Sequence, residues 1–187
     1  SEDDVLKRFV DASHVCSNDT LLRITGDTPL VDPDVVDLLI EYFNENNADY
    51  AYLSLNFAEG VDCEVITNDA LLFSHNNAIK KSEREHVTLH IYGQSDRFKI
   101  VEMNNSQDHS EFRFTVDDEK DFQVVTSIIN HFKDQYRTIR TADIIEFLAA
   151  NPTIKKLNES TIRNEGLAKS LRLDEQSNRK NCLEIKK

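Results

Sequence analysis

Glycine is scarce in this chain: four among 187 residues, at Gly26, Gly60, Gly93 and Gly166. They lie too far apart to build a phosphate-cradling loop, and neither a Walker loop nor a nucleophile elbow is present. No Gly/Pro-rich linker or internal repeat divides the chain, so it reads as one domain, or most of one, with room for a sizeable core. The three cysteines, Cys16, Cys63 and Cys182, are scattered. Without a Cys-x-x-Cys pair they argue against a structural zinc site, and a reducing cytoplasm is the default setting. No apolar run approaches membrane-spanning length, and no signal-peptide pattern appears. Basic residues are also few: 22 against 34 acidic ones, for a formal charge of -12. That argues against a nucleic-acid surface, which needs clustered Lys and Arg.

What the chain does have is alternating strand and helix patterns. Apolar spacing predicts a helix over 2–16. Strands are expected at 21–25, 50–53, 61–66, 98–103 (near an edge) and 112–116. Helices are expected over 33–46, from Thr67 to Ala78, from Ser82 with Glu85 closing a capping box, from 117 to 132 with Phe122, Val125, Ile128, Ile129 and Phe132 inward, and over 141–150. From Asp174 the chain is polar without periodicity and reads as a mobile tail. The alternation predicts an α/β sandwich with a mainly parallel sheet.

The most informative string runs Arg23-Ile-Thr-Gly-Asp-Thr-Pro-Leu-Val-Asp-Pro-Asp34. A strand reading as buried stops at Gly26-Asp27, and a helix begins with Asp32 as N-cap and Pro33 at its first position. Asp27 thus sits just past the carboxyl end of a strand, where open α/β sheets bind ligands. A carboxylate there suits a divalent metal that also holds phosphate oxygens, although Asp is equally a common turn residue.

This string resembles the metal-binding segment of the sugar cytidylyltransferases, the spore coat polysaccharide type related to the CMP-sialate (acylneuraminate) and CMP-KDO synthetases. Three further segments resemble the family in its order: Gly60-Val-Asp-Cys-Glu-Val65, Ser82-Glu-Arg-Glu-His-Val-Thr88, and Phe114-Thr-Val-Asp-Asp-Glu-Lys-Asp-Phe122. Asn151-Pro152 and Asn158 fall where the family's tail carries similar residues. Leu89 departs from the pattern, which has proline there. The resemblance implies a three-layer nucleotide-diphospho-sugar transferase-like domain over 1–172, followed by a polar tail over 173–187. It also implies that the first strand and the basic triphosphate loop are missing, so that this chain alone is expected to be inactive or weak.

The implied reaction joins CTP to a sugar acid or sugar phosphate, giving a CMP- or CDP-sugar and pyrophosphate for cell-surface polysaccharide synthesis. Asp27 and Asp117 are the expected catalytic Mg2+ ligands. Asp62, Glu64, Arg84, His86 and Arg113 are the expected substrate-side residues. Each has a plainer alternative. Asp117 can be an N-cap, Asp62 and Glu64 solvated acids on one strand face, and His86 a packed histidine. Glu85 can serve only its capping box, and Arg113 can pair with Glu111 or meet a phosphate. The expected partners are CTP and the sugar, without nucleic acid or membrane, and a homodimer is compatible with this. Two rivals stand beside this reading: a non-catalytic sugar-side or dimerisation fragment, and a metal-dependent nucleotide-sugar glycosyltransferase.

Overall fold

The computed structural model describes residues 4–15 and 19–184, with the backbone alone at 136 and 178–184; Cys16 and the Cys182 side chain lie outside what is described. The chain folds as two compact units: one holds 22–65 and 100–161, the other the described parts of 1–21, 66–99 and 162–187. A four-stranded open sheet has the order β1-β3-β2-β4, formed by β1 (Thr20–Ile24), β2 (Tyr50–Leu53), β3 (Cys63–Thr67) and β4 (Ile100–Met103). β2 and β4 are parallel, with Tyr50 opposite Ile100 and Leu53 opposite Met103. β4 is at an edge, as its polar following loop suggested. The strand read as buried, β1, is also at an edge; its Leu22 and Ile24 are 41% and 39% exposed.

In the first unit the core is built on Leu39, Ala51, Val61, Phe114, Ile128 and Ile144. Burying each large aliphatic or aromatic side chain contributes about 2–3 kcal/mol. α2 (Pro33–Glu45) follows its local signals: Asp32 Oδ1 accepts from the Asp34 N–H at 3.0 Å, Pro33 stands at N1, and Val36, Leu39 and Phe43 face inward. Asn47, at φ 46°, turns the chain out of the helix toward β2. The other oxygen of Asp32 accepts from the Thr141 N–H at 2.7 Å, at the first turn of α7 (Thr141–Ala150). One buried carboxylate therefore caps two helices.

α6 (Glu119–Phe132) is capped by Asp118, not Asp117: Asp118 Oδ1 accepts from the N–H groups of Lys120 and Asp121 at 2.8 and 3.0 Å. Its buried stripe is Asp121, Val124, Val125 and Ile128, which leaves Phe122 56% exposed. The expectation of an inward Phe122 fails: Asp121 takes the buried place, where Arg113 holds it, and Phe122 turns outward. The expected strand at 112–116 does not form. The segment makes one parallel bridge, Glu59 with Arg113, and divides its other backbone bonds between two loops. A short α8 (Pro152–Lys155) follows α7.

The second unit contains α1 (Val5–Ser13), α3 (Asn68–Asn77), α4 (Lys81–Glu85), α5 (Leu89–Tyr92) and α9 (Glu165–Glu184). Thr67 caps α3 as expected, its Oγ1 accepting from the Ala70 N–H at 3.2 Å. α4 starts two residues earlier than expected. Lys80 is its N-cap residue, Glu83 Oε2 accepts from the Ile79 and Lys80 N–H groups at 3.1 Å each, and Ser82 is buried inside the helix. Glu83 is the acid at the third helical position, so it takes the role expected of Glu85. The expectation of an aperiodic tail from Asp174 also fails, since α9 continues to Glu184. Among the described residues, no helix is long and apolar enough to cross a membrane.

Candidate active site

Asp27 lies in the turn between β1 and α2. Thr28 ties this turn back to the Thr25 carbonyl through its hydroxyl at 2.8 Å. The Asp27 carbonyl accepts two bonds from the 112–117 segment: the Val116 N–H at 2.8 Å and the Thr115 hydroxyl at 2.9 Å. Two stretches separated by 88 positions in sequence are thereby sewn together, with Asp117 one residue beyond Val116. Asp27 Oδ1 is buried and accepts no hydrogen bond among the described residues. A buried polar atom without a partner costs about 1–3 kcal/mol, more if charged, so it calls for a reason other than stability.

Asp117 is 55% exposed, and its Oδ2 meets Arg113 Nη2 at 2.6 Å. Arg113 is almost fully buried and holds two more carboxylates, Glu59 at 2.6 Å and Asp121 at 2.8 and 2.6 Å. Burial alone would lower the Arg113 pKa, but the hydrogen bonds it donates to Asp121, Glu59 and Asp117 outweigh this and raise it above the ordinary value. For Asp121 burial opposes ionisation, and the bonds from Arg113, Asn158 and the Asp117 N–H prevail, leaving its pKa lowered. Three acids around one guanidinium leave a net negative cluster beside Asp27's segment.

Asp62 precedes β3 and does not share a strand face with Glu64; its Oδ2 accepts from the Gly60 N–H at 3.0 Å. Glu64 receives Arg23 Nη1 on one oxygen and the Tyr50 hydroxyl on the other. Between them Cys63 is buried, and burial with the two flanking acids pushes its thiol up to about 12. Glu111 pairs with Lys155 and not with Arg113.

Arg84 and His86 belong to the other unit. Arg84 grips Asp4 at 3.0 and 2.7 Å and donates to the His75 carbonyl at 2.7 Å. His86 Nε2 lies 3.2 Å from the Ser170 hydroxyl, which lies 2.9 Å from Glu85 Oε2. Sequence reasoning missed Glu59, Asp121 and Asn158 as partners of Arg113. Only the second aspartate of the Thr-Val-Asp-x-x-x-Asp segment offered a signal, because positions four apart share a helix face.

The family model for cytidylyltransferases matches residues 1–177, nearly the whole chain. The chain belongs to the cytidylyltransferase family. It is 40% identical over 162 residues to protein MJ1063 of Methanocaldococcus jannaschii, which covers 86% of this chain and 65% of that protein. It is 28% identical over 155 residues to the spore coat polysaccharide biosynthesis protein SpsF of Bacillus subtilis, covering 81% of this chain and 64% of SpsF. A solved cytidylyltransferase from Leptospira borgpetersenii serovar Hardjo-bovis matches with a TM-score of 0.76 at 29% identity, over 82% of this chain and 66% of that one. The chain thus spans just under two thirds of the length of these relatives. Its mixed α/β fold is that of a cytidylyltransferase.

Among the described residues, no cluster of three His, Cys, Asp or Glu could hold a metal. Two carboxylates fit the habit of magnesium, which takes one or two from protein and fills its sphere with phosphate and water. The unpartnered Asp27 oxygen and the exposed Asp117 supply the hard donors this requires.

Proposed function

We propose that the chain serves a magnesium-dependent sugar cytidylyltransferase, which couples CTP to a sugar acid or sugar phosphate and releases pyrophosphate, for polysaccharide synthesis. The observation that carries this is Asp27: its Oδ1 is buried without a partner, on a turn bonded to the segment that carries Asp117. Asp27 and Asp117 would hold magnesium, which supplies charge neutralisation and alignment of the phosphates. The chain's own contribution is positional. The bonds from Val116 and Thr115 fix the Asp27 turn, and Arg113 orients the Asp117 carboxylate. No protein nucleophile is required, since the acceptor oxygen of the sugar attacks the α-phosphorus and pyrophosphate leaves. The acceptor-side roles of Asp62, Glu64, Arg84 and His86 belong to this reading. Each already has a partner within its own unit.

The test is pyrophosphate release with CTP, Mg2+ and a panel of sugar acids and sugar phosphates. At most weak turnover is expected from this chain alone, with a further loss of roughly a hundredfold or more in Asp27→Asn and in Asp117→Asn. Full activity in both variants overturns the metal assignment. Absence of both turnover and CTP binding in the unaltered protein favours a non-catalytic module.

A further inference from the structure

We propose that Asp121 is a positioning residue for Asp117, acting with Arg113 and Asn158 to present the Asp117 carboxylate to a divalent cation; this rests on the metal-dependent reading above. Asp121 has no exposed surface. Its Oδ2 accepts from the Asp117 N–H at 3.0 Å and from Arg113 Nη2 at 2.6 Å. Its Oδ1 accepts from Arg113 Nε at 2.8 Å and from Asn158 Nδ2 at 2.7 Å. The roughly four acceptor sites of a carboxylate are thus all used. The same Arg113 Nη2 reaches Asp117 Oδ2 at 2.6 Å. Asp117 is therefore held twice, at its backbone by Asp121 directly and at its carboxylate through Arg113. Asn158 completes the brace from 45 positions downstream, also donating to the Arg113 carbonyl at 3.2 Å.

Helix capping does not explain this arrangement, because Asp118 already caps α6. Stability is a weak explanation too, since apolar residues often replace a buried ion pair at no loss. The geometry matches the way outer partners orient a metal-binding carboxylate and tune its affinity. Asp121 touches neither substrate nor metal and acts only through Asp117.

The test measures Mn2+ binding to the full chain by its EPR signal, with and without CTP, in Asp121→Asn, Asn158→Ala, Asp117→Asn and the Asp117→Asn/Asp121→Asn double variant. Asp121→Asn is expected to weaken Mn2+ by about tenfold to a hundredfold, and Asn158→Ala by less in the same direction. In the Asp117→Asn background Asp121→Asn should add nothing. A folded Asp121→Asn with unaltered affinity overturns the proposal. So does an equal weakening in the Asp117→Asn background, which would mark a through-space effect of lost charge. If Asp121→Asn does not fold, Asn158→Ala decides: unaltered Mn2+ affinity in that variant sinks the idea. Failure of the unaltered chain to bind Mn2+ even with CTP removes the parent reading and this one together, a result distinct from the others.

Discussion

A Cβ built on Gly60 would lie 2.7 Å from Cδ2 of Phe114 and 2.8 Å from its carbonyl carbon. The glycine at the head of the Gly-x-Asp-x-Glu-Val segment is thus a contact requirement as well as a turn. Its φ of 123° is also one that side-chain-bearing residues rarely adopt. Two of the three nearest atoms, the Phe114 carbonyl carbon and the Thr115 nitrogen, are backbone and cannot swing away. Gly60→Ala is expected to lose about 3 kcal/mol, from strain and overpacking together, read as a lower urea midpoint with unaltered slope. An unshifted midpoint would mean that the 112–116 segment yields easily.

Asp27 should trade stability for function. The two backbone bonds to its carbonyl survive any side-chain change, and its buried Oδ1 has no partner to lose. Asp27→Ala is expected to leave the melting temperature unchanged or raise it, by about 1 kcal/mol at most, while abolishing turnover. A loss above that magnitude would show that the carboxylate is bonded in solution.

Acid should weaken the fold through Asp121. Its folded pKa lies below the ordinary 3.8, so it binds fewer protons folded than unfolded at low pH. The stabilisation is fully present above that ordinary value and is lost as pH falls through the depressed folded one. Urea midpoints between pH 3 and 7 should fall on the acid side in the unaltered protein and fall less steeply in Asp121→Asn. Parallel curves would deny Asp121 this role.

Asp32→Ala removes caps from α2 and α7 at once and is expected to lose about 2–3 kcal/mol. Asp32→Asn keeps one acceptor oxygen and should lose about half as much. Equal losses in the two variants would show that charge, not the pair of caps, is what matters.

Cys63 should be inert. The thiolate is the reactive form, and this thiol is buried with its pKa pushed up to about 12. Mass spectrometry after brief iodoacetamide treatment of the native protein should find Cys63 unlabelled, and labelled once urea is added.

The elements visible in the sequence were those specified locally. α2 announced itself through Asp32, Pro33 and its apolar spacing, and Thr67 marked α3 in the same way. Caps were hard to assign where candidates stood close together: Asp118 took the place that Asp117 could have filled, and Glu83 that expected of Glu85. Phe112 to Val116 alternates like a strand, but its backbone partners are the Glu59 and Asp27 loops, which no periodicity reveals. The site was half visible for the same reason. Asp27 was marked by its turn, whereas the ring of Glu59, Asp121 and Asn158 around Arg113 exists only once distant segments meet.

The double cap at Asp32 also bears on how the chain is born. Its first hydrogen bond, to Asp34, is available as soon as α2 emerges. The second waits for Thr141, 109 positions later. At ribosomal rates of about 5–20 residues per second, that delay is roughly 5–20 seconds. Throughout it α2 can wind while one oxygen of its cap faces water, and the arrival of α7 removes that oxygen from solvent. Substitution at Asp32 should therefore act late, speeding unfolding more than it slows the initial winding of α2.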